Sequence, residues 1–138
     1  MNIHRPPILW TEFYGKLAYL FYNVAACDQT ITSKEIAKLK ELLLSTWLDL
    51  EPSLDEYGYD AAYQIEAVFD WLLDQRPPPE EGFREFSAFI KENPGFVDKR
   101  LGALIIKSAN QLAEASYGKN KSELTFLFKL EKLIQTVT

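Results

Sequence analysis

Apolar residues recur every three to four positions along this chain, and no run alternating every second residue and punctuated by turn signals appears, so the pattern predicts helices and no sheet. Leu9, Trp10, Phe13, Tyr14, Leu17, Leu20, Phe21, Val24 and Ala25 trace one stripe on a first helix that ends near Cys27. Thr32 and Glu35 form a capping box, each side chain answering the other's backbone amide, and open a second helix carrying Ile36, Leu39, Leu42, Leu43 and Trp47. Pro52 stops it, having no amide hydrogen and a fixed φ. Ser53 with Glu56 repeats the capping signal and predicts a third helix that turns Ala61, Ala62, Ile65, Val68, Phe69, Leu72 and Leu73 inward. Pro77, Pro78 and Pro79 favour an extended segment, which ends that helix at or just before Arg76. Phe83, Phe86, Phe89 and Ile90 mark a short fourth helix. Asn93 as cap, with Pro94 in the first helical position, opens a fifth bearing Val97, Leu101, Leu104, Ile105, Ala109 and Leu112. Gly118 terminates it, and Asn120 with Glu123 caps a sixth with Leu124, Leu127, Phe128, Leu130 and Ile134.

Sliding the chain by 88 positions lays the first two helices on the last two: Leu17 meets Ile105, Val24 meets Leu112, Thr32 meets Asn120, Glu35 meets Glu123 and Leu39 meets Leu127. Shared hairpin geometry and an internal duplication both produce such a match. Either way the expected fold is all-α, one bundle of about six helices built on two pseudo-repeated hairpins, with helices three and four filling the space between. With 138 residues the chain suits one domain, with residues 1–7 as a tail that holds the single histidine, His4.

Charge changes the picture only locally. Fifteen basic and twenty acidic side chains give a net charge of −5, which repels phosphate backbones and argues against nucleic acid. All the excess lies in residues 1–69. Between Lys40 and Arg76 there is no base, but nine acids, from Glu41 to Asp74. A solvated face explains most such runs. No uncharged stretch approaches the ~20 residues of a membrane helix. With a lone Cys27 and no leader-like N-terminus, the expected setting is cytoplasmic. Glycines are scattered singly, which excludes phosphate-binding loops, and no histidine or base stands ready to activate a nucleophile. The expectation is a protein that is not an enzyme.

The segment Ala25-Ala26-Cys27-Asp28-Gln29-Thr30-Ile31-Thr32-Ser33-Lys34-Glu35 resembles the A-x-A-D-G-x-I-x-x-x-E signature of the TerB-like family, which includes tellurite-resistance proteins and the N-terminal domain of DjlA-type co-chaperones. Asp28, Ile31 and Glu35 match, while Gln29 stands where the family has glycine. In the shifted copy Glu123 matches, and Ser116 takes the place of the aspartate. The resemblance implies an all-helical fold, a non-enzymatic role near stress response or protein assembly, and a divalent cation on the acids.

Two candidate sites follow. Asp28 and Glu35 offer hard carboxylate oxygens to Ca²⁺ or Mg²⁺, although capping and turn roles account for both equally well. Glu66, Asp70 and Asp74 stack like charges at four-residue spacing near a helix C-terminus, against both side-chain repulsion and the macrodipole. Tyr59 and Tyr63 share that face. Acids flanked by tyrosines suit a protein partner; the competing expectation is that Arg84, Lys99 or Arg100 neutralises them within the fold.

Overall fold

The computed structural model describes residues 7–26, 33–51, 53–54, 58–115 and 121–138, except the side chains of Pro7, Glu35 and 121–123. Six α-helices follow in order: α1 (Pro7–Ala26), α2 (Ser33–Trp47), α3 (Tyr63–Gln75), α4 (Glu80–Glu92), α5 (Lys99–Ala115) and α6 (Lys121–Val137). The described residues hold no strand, only an isolated antiparallel bridge between Leu54 and Asp60. The fold is all-α.

The centre of the bundle is α1. Its stripe is so broad that Trp10, Phe13, Tyr14, Leu17, Ala18, Leu20, Phe21, Tyr22, Val24 and Ala25 are all buried, as expected of a helix walled in on most sides. Both α3 and α4 pack along it, and α5 is its third neighbour, while α2 rests on α5 and α3, and α6 on α5 and α4. The sequence correspondence at 88 residues therefore joins helices in unlike surroundings, since α1 is enclosed and α5 is not. Six rings close the core at one end: Phe13 lies 5.0 Å from Phe96 and 6.0 Å from Trp47 and Phe89, and Trp10 lies 5.0 Å from Phe96. Tyr14 completes the set at 5.7 Å from Trp10. The Trp47 indole N–H donates to the buried Ser108 hydroxyl at 3.1 Å, and that hydroxyl donates to the Leu104 carbonyl at 2.9 Å, so neither polar group is left unpaired.

Close approach of helices is set by glycine. A Cβ on Gly82 of α4 would collide with the Tyr19 carbonyl oxygen of α1 and sit 2.8 Å from Asn23 Cβ. The buried Asn23 side chain there accepts, through Oδ1, from the Phe83 amide at 3.1 Å. On Gly102 of α5 a Cβ would lie 2.6 Å from Ile134 of α6.

Several expected boundaries move. The second helix ends at Trp47, before Pro52, and the third opens at Tyr63 rather than near Ser53. Between them the chain folds back on itself: Asp49 takes a left-handed φ of 62° and donates its amide to Asp60 Oδ2 at 2.7 Å, while Asp60 Oδ1 accepts from Ala62 at 2.9 Å. Ser53 is buried in this loop, where its carbonyl accepts from the Ala61 amide at 2.9 Å. Ala61 and Ala62 are core residues, as expected, although they precede the helix. Asn93 closes α4 instead of opening α5, its amide side chain donating to Phe89 O at 3.0 Å. The cap of α5 is Asp98, whose Oδ1 accepts from the Leu101 amide at 2.8 Å. Helix α3 ends as expected, with Arg76 in the left-handed region (φ 51°) before the prolines. On α6 the buried arc is Phe126, Leu127, Leu130 and Ile134. Leu124 and Phe128 lie about a third of a turn or more away and are exposed, at 52% and 60%. Lys132 Nζ covers the Phe128 ring at 5.2 Å from its centre. Among the described residues, no helix is long and apolar enough to cross a membrane.

Candidate functional site

Helix α3 buries Ile65, Phe69 and Leu72, which leaves its opposite side to Tyr63, Ala67, Asp70, Trp71 and Asp74, all exposed. The loop bonds to Asp60 seat Tyr59 just before the helix, with 65% of its surface open; Tyr63 keeps 42% and Trp71 52%. Three large aromatic side chains thus stand outside the core beside a row of carboxylates.

The charges within that row differ. Glu66 lies in the first turn of α3, because the helix cap is Ala62, nine residues after the Ser53 that the sequence suggests, and there the macrodipole favours an anion. Asp74 remains in the last turn, which holds no base, and accepts from the Gln75 side chain at 3.3 Å. Asp70 is paired with Lys40 of α2 at 2.5 Å, both partners still partly open to water. Among the described residues, neutralisation within the fold therefore falls on Asp70 and comes from Lys40, not from Arg84, whose ionic partner is Glu81 of its own helix at 3.7 Å.

Trp71 was not among the expected site residues. The signal for it is its absence from the apolar period of α3: Ile65, Phe69 and Leu72 define the inner arc, and an indole off that arc faces outward. The cation site expected at Asp28 and Glu35 lies outside the described side chains, as do His4, Cys27 and Thr32. Among the described residues, no three His, Cys, Asp or Glu side chains gather as metal ligands would.

A separate cleft of about 210 Å³, walled by Trp10, Leu50, Glu51, Asp98, Arg100 and Leu104, brings charges close to the core. Its carboxylates serve the fold. Glu51 accepts from the Tyr14 hydroxyl at 3.0 Å and, through its other oxygen, from the Ser53 amide at 2.9 Å, and Asp98 caps α5. Burial, and then the Glu51 charge, push the Tyr14 hydroxyl above the ordinary tyrosine range, so it stays protonated and donates. Tyr22 is also pushed up, mainly by burial, and donates to the Pro77 carbonyl at 2.7 Å.

Set against known proteins, the chain matches no protein family, no curated protein and no solved structure.

Proposed function

We propose that this protein is a non-enzymatic helical module that binds another protein through the outer face of α3. One observation carries the reading: Tyr59, Tyr63 and Trp71 are all more than two-fifths exposed on a surface that also presents Glu66, Asp70 and Asp74. Tyrosine and tryptophan contribute most where they are desolvated in interfaces, because they carry large area with few rotatable bonds. Large aromatic area left in water is area a partner can cover, and the carboxylates beside it select a partner of opposite charge. The TerB-like signature in residues 25–35 supports a role near stress response or protein assembly.

The test is photo-crosslinking in cells from position 67, which lies on this face, followed by identification of the product and binding measurements on the purified pair. Tyr63→Ala with Trp71→Ala is expected to weaken that complex at least tenfold while leaving the melting temperature of the free module nearly unchanged, since both side chains are already exposed. A complex of unchanged affinity would mean that the face is only a solvated surface.

A further inference from the structure

Most of α1 is enclosed, and the exceptions form a pattern. Apart from Leu9 and Ala26 near its ends, the described side chains of α1 that keep some exposure are Ile8, Thr11, Glu12, Gly15, Lys16 and Tyr19. These six are one wall and the floor of a groove of about 330 Å³, and Gln64 and Val68 of α3 are the other wall. From Ile8 to Tyr19 the stripe runs ~16 Å along the helix axis, the length of three helical turns. Ile8 stands 76% exposed at its mouth. Gly15 lies against Gln64 and Val68, and Tyr22 reaches Pro77, so α1 and α3 run in the same direction, which puts Trp71 at the Tyr19 end. Trp71 follows Gln64 by seven residues, close to two turns, and continues that edge of the groove toward the acidic face.

The floor is the telling position. Glycine inside a helix is destabilising relative to alanine, so it persists where something excludes a side chain. At Gly82 and Gly102 neighbouring atoms exclude it. At Gly15 they do not: a Cβ would meet Val68 at 3.8 Å and Gln64 at 4.0 Å, ordinary contact distances. What the absent methyl group keeps open is the groove itself.

Among the described residues, the charge around the groove has one sign to spare. The one base that lines it there, Lys16, is bound to Glu85 of α4 at 3.1 Å. Glu12 is exposed on the same wall, and Asp74 lies beyond Trp71. A partner with apolar residues for the groove and positive charge for its surroundings meets both conditions.

We infer that the α1–α3 groove is the seat for a basic amphipathic helix of about three turns, which places an apolar residue over Gly15 and its lysines or arginines against Glu12 and the acids of α3. This inference rests on the protein-binding reading of α3 and adds the chemistry of the partner.

The probe is a fluorescein-labelled 16-residue peptide of leucine, alanine and lysine, with leucines at i, i+4 and i+7 on one face and lysines on the other. A scrambled peptide of the same composition is the control, and binding to the full chain is read by fluorescence anisotropy in ~0.1 M salt. The ordered peptide is expected to bind at least tenfold more tightly than the scrambled one. Gly15→Leu is expected to remove most of that advantage, and Gly15→Ala to reduce it about threefold while raising the melting temperature by ~2–4 °C. The alanine variant carries the test if the leucine variant does not fold. Equal binding of the two peptides, unchanged binding by the glycine variants, or a lower melting temperature for Gly15→Ala overturns the inference. Loss of binding on Asp74→Lys alone, with none at position 15, removes the groove and leaves the acidic face standing; the reverse leaves the groove and removes the acidic face.

Discussion

Substituting alanine for a helical glycine separates two kinds of position in this protein. At Gly82 the new methyl group has to displace the α1 backbone at Tyr19, which cannot rotate away. Gly82→Ala is therefore expected to cost ~2 kcal/mol or more, seen as a lower denaturant midpoint with an unchanged slope. Tyr14 makes a second prediction at this scale. Its folded hydroxyl titrates above its unfolded value of 10.0, so the stabilisation is complete below pH 10 and drains away as the pH rises beyond it. The slope approaches ~1.4 kcal/mol per pH unit once the unfolded tyrosine is ionised. Between pH 10 and 11.5 the stability of the wild type should thus fall more steeply than that of Tyr14→Phe. Parallel slopes would show that Tyr14 titrates alike in both states. Below pH 9 the same variant is expected to lose ~1–2 kcal/mol, because Glu51 is left without its hydroxyl donor.

Helix ends distinguish what local signals can and cannot announce. Asn93-Pro94 has the composition of a helix start, yet Asn93 bonds backward to Phe89 and Asp98 bonds forward to Leu101. Asp98→Ala is expected to destabilise by ~1 kcal/mol in thermal or chemical unfolding, whereas a silent substitution would return the cap to Asn93. Periodicity identified all six helices because each must bury a stripe, and that demand is written every three or four residues. The start of α3 was not legible for a related reason. Ser53 and Glu56 carry a local capping pattern, but the position of Ser53 is decided by partners in the folded loop, through Ala61 and Glu51. Asp60, which organises the turn, bonds at a distance of 11 residues to Asp49, a relation no local motif encodes. The shift matters for the site, since it moves Glu66 from the middle of a helix to its first turn and so relieves part of the strain its spacing suggests.

Across the whole molecule, the acidic run was legible as a run, but its compensation was not. The neutralising base for Asp70 comes from Lys40, thirty positions earlier, because α2 packs beside α3. Both ends of that pair remain hydrated, so Asp70→Asn is expected to cost less than ~1 kcal/mol, and the cost should shrink as salt is raised. An effect above ~2 kcal/mol in a salt-independent measurement would mean that Asp70 anchors the bundle. Trp71 and the α1–α3 groove belong to this scale as well, since which flank of an apolar helix stays uncovered depends on where its neighbours stop. The enclosure of α1 also has a consequence for how the protein is made. The last residue of α4 follows the last residue of α1 by 66 positions, which a ribosome takes roughly 3 to 13 s to add. Throughout that interval the most apolar of the described helices has been synthesised with at least one of its two main walls still missing, a period in which a nascent polypeptide is open to clumping.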